Sequence, residues 1–146
     1  MAVTRRQRTV AAPAPAVWEV LADPHHLPRW WPRVERVELV KGDGFTQLLR
    51  TDKGRAIRAD FRVLQSRRPE LRRWRQEVEG TPFAGILASS ETAIRLEPAG
   101  AGATRVTLEQ EQRLRGMARL GGYMVRRAAR RALDEALDGL ERLHGA

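Results

Sequence analysis

The sequence has no cysteine, a single tyrosine, three phenylalanines and only two lysines, and each shortage removes a class of function. Without thiols there are no disulfides, thiolate nucleophiles or thiolate metal sites, and a cytoplasmic location is the expectation. Aromatic residues make up 5% of the chain, too few for the stacking platforms that single-stranded nucleic acid needs. Arg72-Arg73-Trp74-Arg75 is the one stretch that interleaves the two residue kinds, so nucleic acid is not expected as a partner. No apolar run is long enough to span a bilayer, and Arg5, Arg6 and Arg8 lead into Thr9 to Pro13 rather than into the apolar core of a signal peptide. Histidine is scarce too: His25 and His26 have no carboxylate at a helical ligand spacing, and His144 lies far along the chain. No metal and no cofactor is expected from that set.

What is present describes a folding chain. At 146 residues it corresponds to one domain, 1–146, able to bury roughly 70% of its unfolded surface. Hydrophobic residues at 42% are spread along its whole length, which argues against disorder. The net charge of +9 comes almost wholly from arginine, since Lys41 and Lys53 are the only lysines among 27 basic residues. Such a surface attracts anions, although a preference for arginine beside so much alanine also fits a GC-rich coding bias.

Periodicity orders the elements. Val3 to Ala11 reads as a strand. Pro13 and Pro15 then start a helix, because their missing N–H groups fall where helix donors lack partners anyway; it runs to about Ala22. Asp23-Pro24 breaks it, Asp23 caps a second short element, and Pro28 and Pro32 bracket Trp30 and Trp31. From Val34 the period becomes two. A hairpin turns at Lys41 to Gly44, and strands follow through Ile57 to Leu64 and Leu71 to Val78. A longer strand carries Ile86, Ala88, Ser90, Thr92, Ile94 and Leu96 on one side, and a last strand runs from Thr104 to Leu114. Beyond Gly116 the period becomes 3.6 up to His144, with Gly121-Gly122 placed to bend or delay the helix. Arg126, Arg127, Arg130 and Arg131 occupy its first half and Asp134, Glu135, Asp138 and Glu141 its second, with Arg130–Asp134 and Arg131–Glu135 spaced for ion pairs.

The order strand, two short helices, six strands and one long helix resembles the START/Bet v 1-like helix-grip superfamily. Ala14 to Pro24, Trp31-Pro32, Gly102 to Leu108 and Arg130 to Leu137 are similar to its polyketide cyclase/dehydrase-like branch. The resemblance implies an α+β fold in which a curved antiparallel sheet of six to seven strands wraps the C-terminal helix, leaving a ligand cavity between them. Alternation then places Phe61, Trp74, Gln76, Ser90, Thr92, Ile94, Leu108, Gln110 and Gln112 on the inward face. One of Trp30 and Trp31 belongs to the core and the other to the cavity mouth, since neighbours on a short helix point apart. Tyr123 and Met124 at the start of the long helix complete the candidate ligand set, and Trp18 is assigned to packing. The expected function is binding of a small apolar molecule, lipid-, quinone- or polyketide-like, by a monomer or homodimer. The alternative is a cyclase or dehydratase using the same cavity, for which the sequence names no acid–base pair. The four arginines Arg126, Arg127, Arg130 and Arg131 are a candidate contact for an anionic membrane surface.

Overall fold

A computed structural model describes residues 1–51 and 53–144. Seven strands, β1 (Ala2–Val10), β2 (Val34–Lys41), β3 (Gly44–Arg50), β4 (Ala56–Arg67), β5 (Leu71–Glu77), β6 (Leu87–Pro98) and β7 (Thr104–Leu114), form one antiparallel sheet. Its order is β1-β7-β6-β5-β4-β3-β2, so the first strand closes one edge beside the last. Helices α1 (Ala14–Leu21) and α2 (Leu27–Trp30) lie between β1 and β2 in the chain, and α3 (Gly122–Leu143) follows β7. This is the helix-grip fold.

Local chemistry explains the short helices. Pro13 caps α1 and a proline occupies its first turn, while Val17, Trp18 and Leu21 bury its inner face. Asp23 accepts a hydrogen bond of 3.0 Å from the His25 backbone and lies 3.0 Å from the His25 ring nitrogen. Burial pushes the Asp23 carboxyl up, but these hydrogen bonds outweigh it and hold the group below the usual carboxylate range.

The core fills the space between the sheet, the two short helices and the second half of α3. Leu21, Leu27, Ile94, Leu108, Leu133, Leu137 and Leu140 are all fully buried there. Four features depart from the periodicity. The segment Gly116–Gly121 forms a 3-10 turn and α3 begins at Gly122, so the helix has 22 residues because the glycine pair delays it. A register shift between Leu87 and Ser89 reverses the alternation at the start of β6: Leu87 is buried, whereas Ile86 is 53% exposed and Ala88 faces out. A second shift, between Val63 and Gln65, breaks the pairing register of β4 at Leu64, which is exposed as its place opposite Val63 requires. Finally, Asp134 turns to Arg6 at 2.7 Å rather than to Arg130.

That last contact belongs to a row. Arg6 and Arg8 lie opposite Leu108 and Val106 on the inward face of edge strand β1, where inward charges protect an open edge from pairing with another chain. Here they reach α3: Arg8 bonds Asp138 at 2.6 Å and also Glu141, and these bonds raise its pKa further. The pairs are partly solvated, which limits their worth. Arg8→Met is expected to lower unfolding free energy by about 1 kcal/mol in low salt and by less in high salt, measurable by urea denaturation at the two ionic strengths.

Candidate functional site

The first half of α3 does not rest on the sheet. Ala129 is the only buried residue described between Gly122 and Ala132, and beneath this half lies a cavity of about 490 Å3. Strand register builds its floor. Phe45 pairs with Phe61, Phe61 with Gln76, Trp74 with Thr92, Thr92 with Gln110 and Ser90 with Gln112, so these side chains share the concave face. Phe61, Trp74 and Gln76 come from β4 and β5, and Ser90, Thr92, Gln110 and Gln112 from β6 and β7. Met124, Arg127, Ala128, Arg131, Ala132 and Glu135 of α3 form the roof, and Trp31, Pro32 and Arg33 close the end beside α2.

The tryptophan pair divides. Trp30 is 2% exposed and points into the core, whereas Trp31 lines the cavity. Their rings meet edge to face at 5.2 Å, and Trp31 continues to Trp74 at 5.8 Å, again edge to face. Phe45 carries the contact on, 5.9 Å from Trp74 and stacked at 5.2 Å on Phe61. One wall is thus a continuous aromatic surface held in preferred geometries.

The polar groups lie beside these rings on the same face of the sheet. Gln110 Nε2 approaches Thr92 Oγ1 at 3.4 Å, a long contact. Gln76 Nε2 is buried and has no hydrogen-bond partner. Glu135 sits at the rim, engaged by Arg131 at 3.5 Å. Arg72 shares the inward face with Trp74 but lies outside the cavity; burial lowers its pKa, and its guanidinium donates to Ser66 Oγ at 3.0 Å. Among the described residues, no group of three His, Asp or Glu side chains converges as a metal site.

Of the expected ligand residues, Trp31, Phe61, Trp74, Gln76, Ser90, Thr92, Gln110, Gln112 and Met124 are gathered on this cavity. Four are elsewhere. Ile94 and Leu108 face inward as alternation requires, but they lie farther along their strands, fully buried in the core. Trp30 joins them there, and Tyr123 turns to solvent with 61% exposure because it precedes the roof-facing side of α3. Gln47 and Leu49 of β3 also line the cavity; their i, i+2 spacing from Phe45 was a usable signal. Glu135 lies four residues beyond Arg131 and seven beyond Ala128, on the same face of α3, so the helical period was the signal that could have found it.

A family profile described as "Polyketide cyclase / dehydrase and lipid transport" matches residues 1–145. No curated protein sequence matches the chain significantly. Among solved structures, a START superfamily protein from Mycobacterium smegmatis superposes with a TM-score of 0.82 at 14% identity, covering 99% of this chain and 98% of that one. A conserved protein from Geobacillus kaustophilus gives 0.82 at 18% identity, with 99% and 95% coverage. The Zhui aromatase/cyclase from Streptomyces sp. R1128 gives 0.80 at 23% identity, with 98% and 93% coverage. Identities this low carry the fold alone.

Proposed function

The chain belongs to the polyketide cyclase/dehydrase and lipid-transport family, and on that premise we propose that it is a single cytoplasmic domain that binds a small, largely apolar molecule bearing a hydrogen-bond acceptor. A lipid-, quinone- or polyketide-like compound meets that description. The observation that carries this reading is Gln76, whose buried amide nitrogen has no partner on the wall of a cavity of about 490 Å3. An unmet buried donor costs roughly 1–3 kcal/mol, so a ligand carbonyl or hydroxyl placed there offsets that cost. The volume falls in the range of small-molecule sites. Trp31 and Phe61, both half-buried, supply apolar area worth about 25 cal/mol per Å2 buried, and Ser90, Thr92, Gln110 and Gln112 supply further donors and acceptors.

The rival reading is a cyclase or dehydratase working in the same cavity. The family description names that chemistry too, and within the cavity its support is Glu135, a carboxylate on the rim beside Arg131, which would have to serve as the base. Binding is favoured because Glu135 is already ion-paired and exposed, while an effective general base is held within reach of the proton it takes.

Two measurements test the proposal. Native mass spectrometry of protein purified from its own host should show a co-purifying small molecule. In titrations, Gln76→Leu should weaken a carbonyl-bearing probe such as 1,4-naphthoquinone about 2–10-fold, the worth of one neutral hydrogen bond, while leaving a purely apolar probe of similar size unchanged. Equal losses for both probes would remove Gln76 from the orienting role, and no binding of either would defeat the cavity reading.

A further inference from the structure

The arginines of this chain fall into two populations. Arg5, Arg6 and Arg8 of β1 each reach a carboxylate, as do Arg50, Arg58, Arg62 and Arg73 of the sheet. From Gln112 to Leu133 the chain holds seven arginines and no acidic residue. Among the described residues, none of Arg113, Arg119, Arg126 and Arg127 forms an ion pair. Three of them, Arg113, Arg119 and Arg126, converge on one cleft of about 450 Å3 beside Gly122. Several stand near the N-terminus of α3, where the helix dipole already presents positive charge. The fold gains nothing from cations there, so their placement points outward.

Apolar side chains share the same end. Leu120 is 81% exposed, Met124 63%, Tyr123 61% and Ile86 53%. Isolated exposed apolar residues are ordinary, but Leu120, Tyr123 and Met124 fall within five consecutive residues. Leu120 lies within a turn of Tyr123 and Met124, and the Arg115 N–H donates to the Ile86 carbonyl at 2.8 Å, tying the β6 entry to the segment before α3. Met124 and Arg127 also belong to the cavity roof, so this end of the molecule is the lip of the cavity.

We propose that this end docks on an anionic lipid bilayer, with Leu120, Tyr123, Met124 and Ile86 entering the headgroup region and Arg113, Arg119, Arg126 and Arg127 contacting lipid phosphates. The pairing of protruding apolar side chains with unneutralised cations is the chemistry of a membrane surface, where apolar burial and attraction to anionic lipid add. A nucleic acid would match the arginines but leave Leu120, Met124 and Ile86 unburied, and Tyr123 is the one aromatic of the patch. No helix among the described residues is long and apolar enough to cross a membrane; the contact proposed is with its surface. It does not depend on which molecule the cavity holds.

Vesicle co-sedimentation of the full chain tests this, comparing phosphatidylcholine alone with the same lipid containing ~30 mol % phosphatidylglycerol. The expected result is partitioning at least about tenfold stronger on the anionic vesicles and weakened by salt. Two double variants that spare the floor and roof of the cavity, Arg119→Gln/Arg126→Gln and Leu120→Ser/Tyr123→Ser, should each reduce it roughly fivefold, with melting temperature and naphthoquinone binding unchanged. Equal partitioning onto both vesicles, partitioning onto neither, or wild-type partitioning by both double variants overturns the proposal. Binding to duplex DNA without binding to vesicles overturns it too and assigns the arginines to nucleic acid.

Discussion

Gly139→Val is expected to cost about 3 kcal/mol of folding stability, a fall in melting temperature of roughly 6–12 °C for a chain of this size. Gly139 lies in the last quarter of α3, buried against α2. A Cβ placed there would stand 2.7 Å from Trp30 Cα and 2.9 Å from its carbonyl carbon, and closer still to the carbonyl oxygen. All three are backbone atoms, so no rotamer change relieves the clash and the two helices must separate. Glycine within a helix ordinarily costs about 1 kcal/mol relative to alanine; it is tolerated here because contact between backbones is what seats α2. Separation would lift Trp30 from the core and shift Trp31, its neighbour, from the cavity wall. Circular dichroism melts of Gly139→Ala and Gly139→Val check this. Alanine should lose less than valine, since it regains helix propensity and adds one carbon, and a variant as stable as the parent would show that the helices are not locked at this point.

Trp74→Ala is expected to cost about 3–5 kcal/mol, the usual loss for a buried tryptophan. Trp74 is 3% exposed and holds edge-to-face contacts with both Trp31 and Phe45, so the deletion removes the centre of the aromatic wall. It also joins the vacated volume to the cavity. The variant should therefore bind small apolar probes more weakly and tolerate bulkier ones better than the parent. Trp74→Phe keeps one ring in contact and should recover more than half of the lost stability. Urea denaturation combined with probe titration checks both parts. A stable Trp74→Ala protein with unaltered probe selectivity would remove Trp74 from the wall.

These two sites show which features a sequence carries. Alternation on β4 to β7 was enough to assign Phe61, Trp74, Gln76, Thr92 and Gln110 to one face, because a period of two admits only two sides. Alternation does not say how far along the strand the cavity ends and the core begins, which is why Ile94 and Leu108 share the face but not the site. It also fails at a bulge. Ile86 and Ala88 continue the inward pattern on paper, yet the irregularity at Leu87 and Ser89 turns Ile86 out toward the basic end, where it takes on a different role.

By itself, the sequence determined the element order, the proline-started α1, the Asp23 cap, the amphipathic face of α3 and the division of labour between two adjacent tryptophans. Each follows from local stereochemistry or from a short period, and neither needs a distant partner. Tertiary structure alone decided which tryptophan took which task, through the backbone contact at Gly139, and which carboxylate each arginine found, as Asp134 shows by turning to Arg6. It also decided that the first half of α3 stands clear of the sheet. The cavity, its unpartnered Gln76 amide and the exposed basic lip depend on where residues far apart in the chain come to rest, and no periodicity encodes that distance.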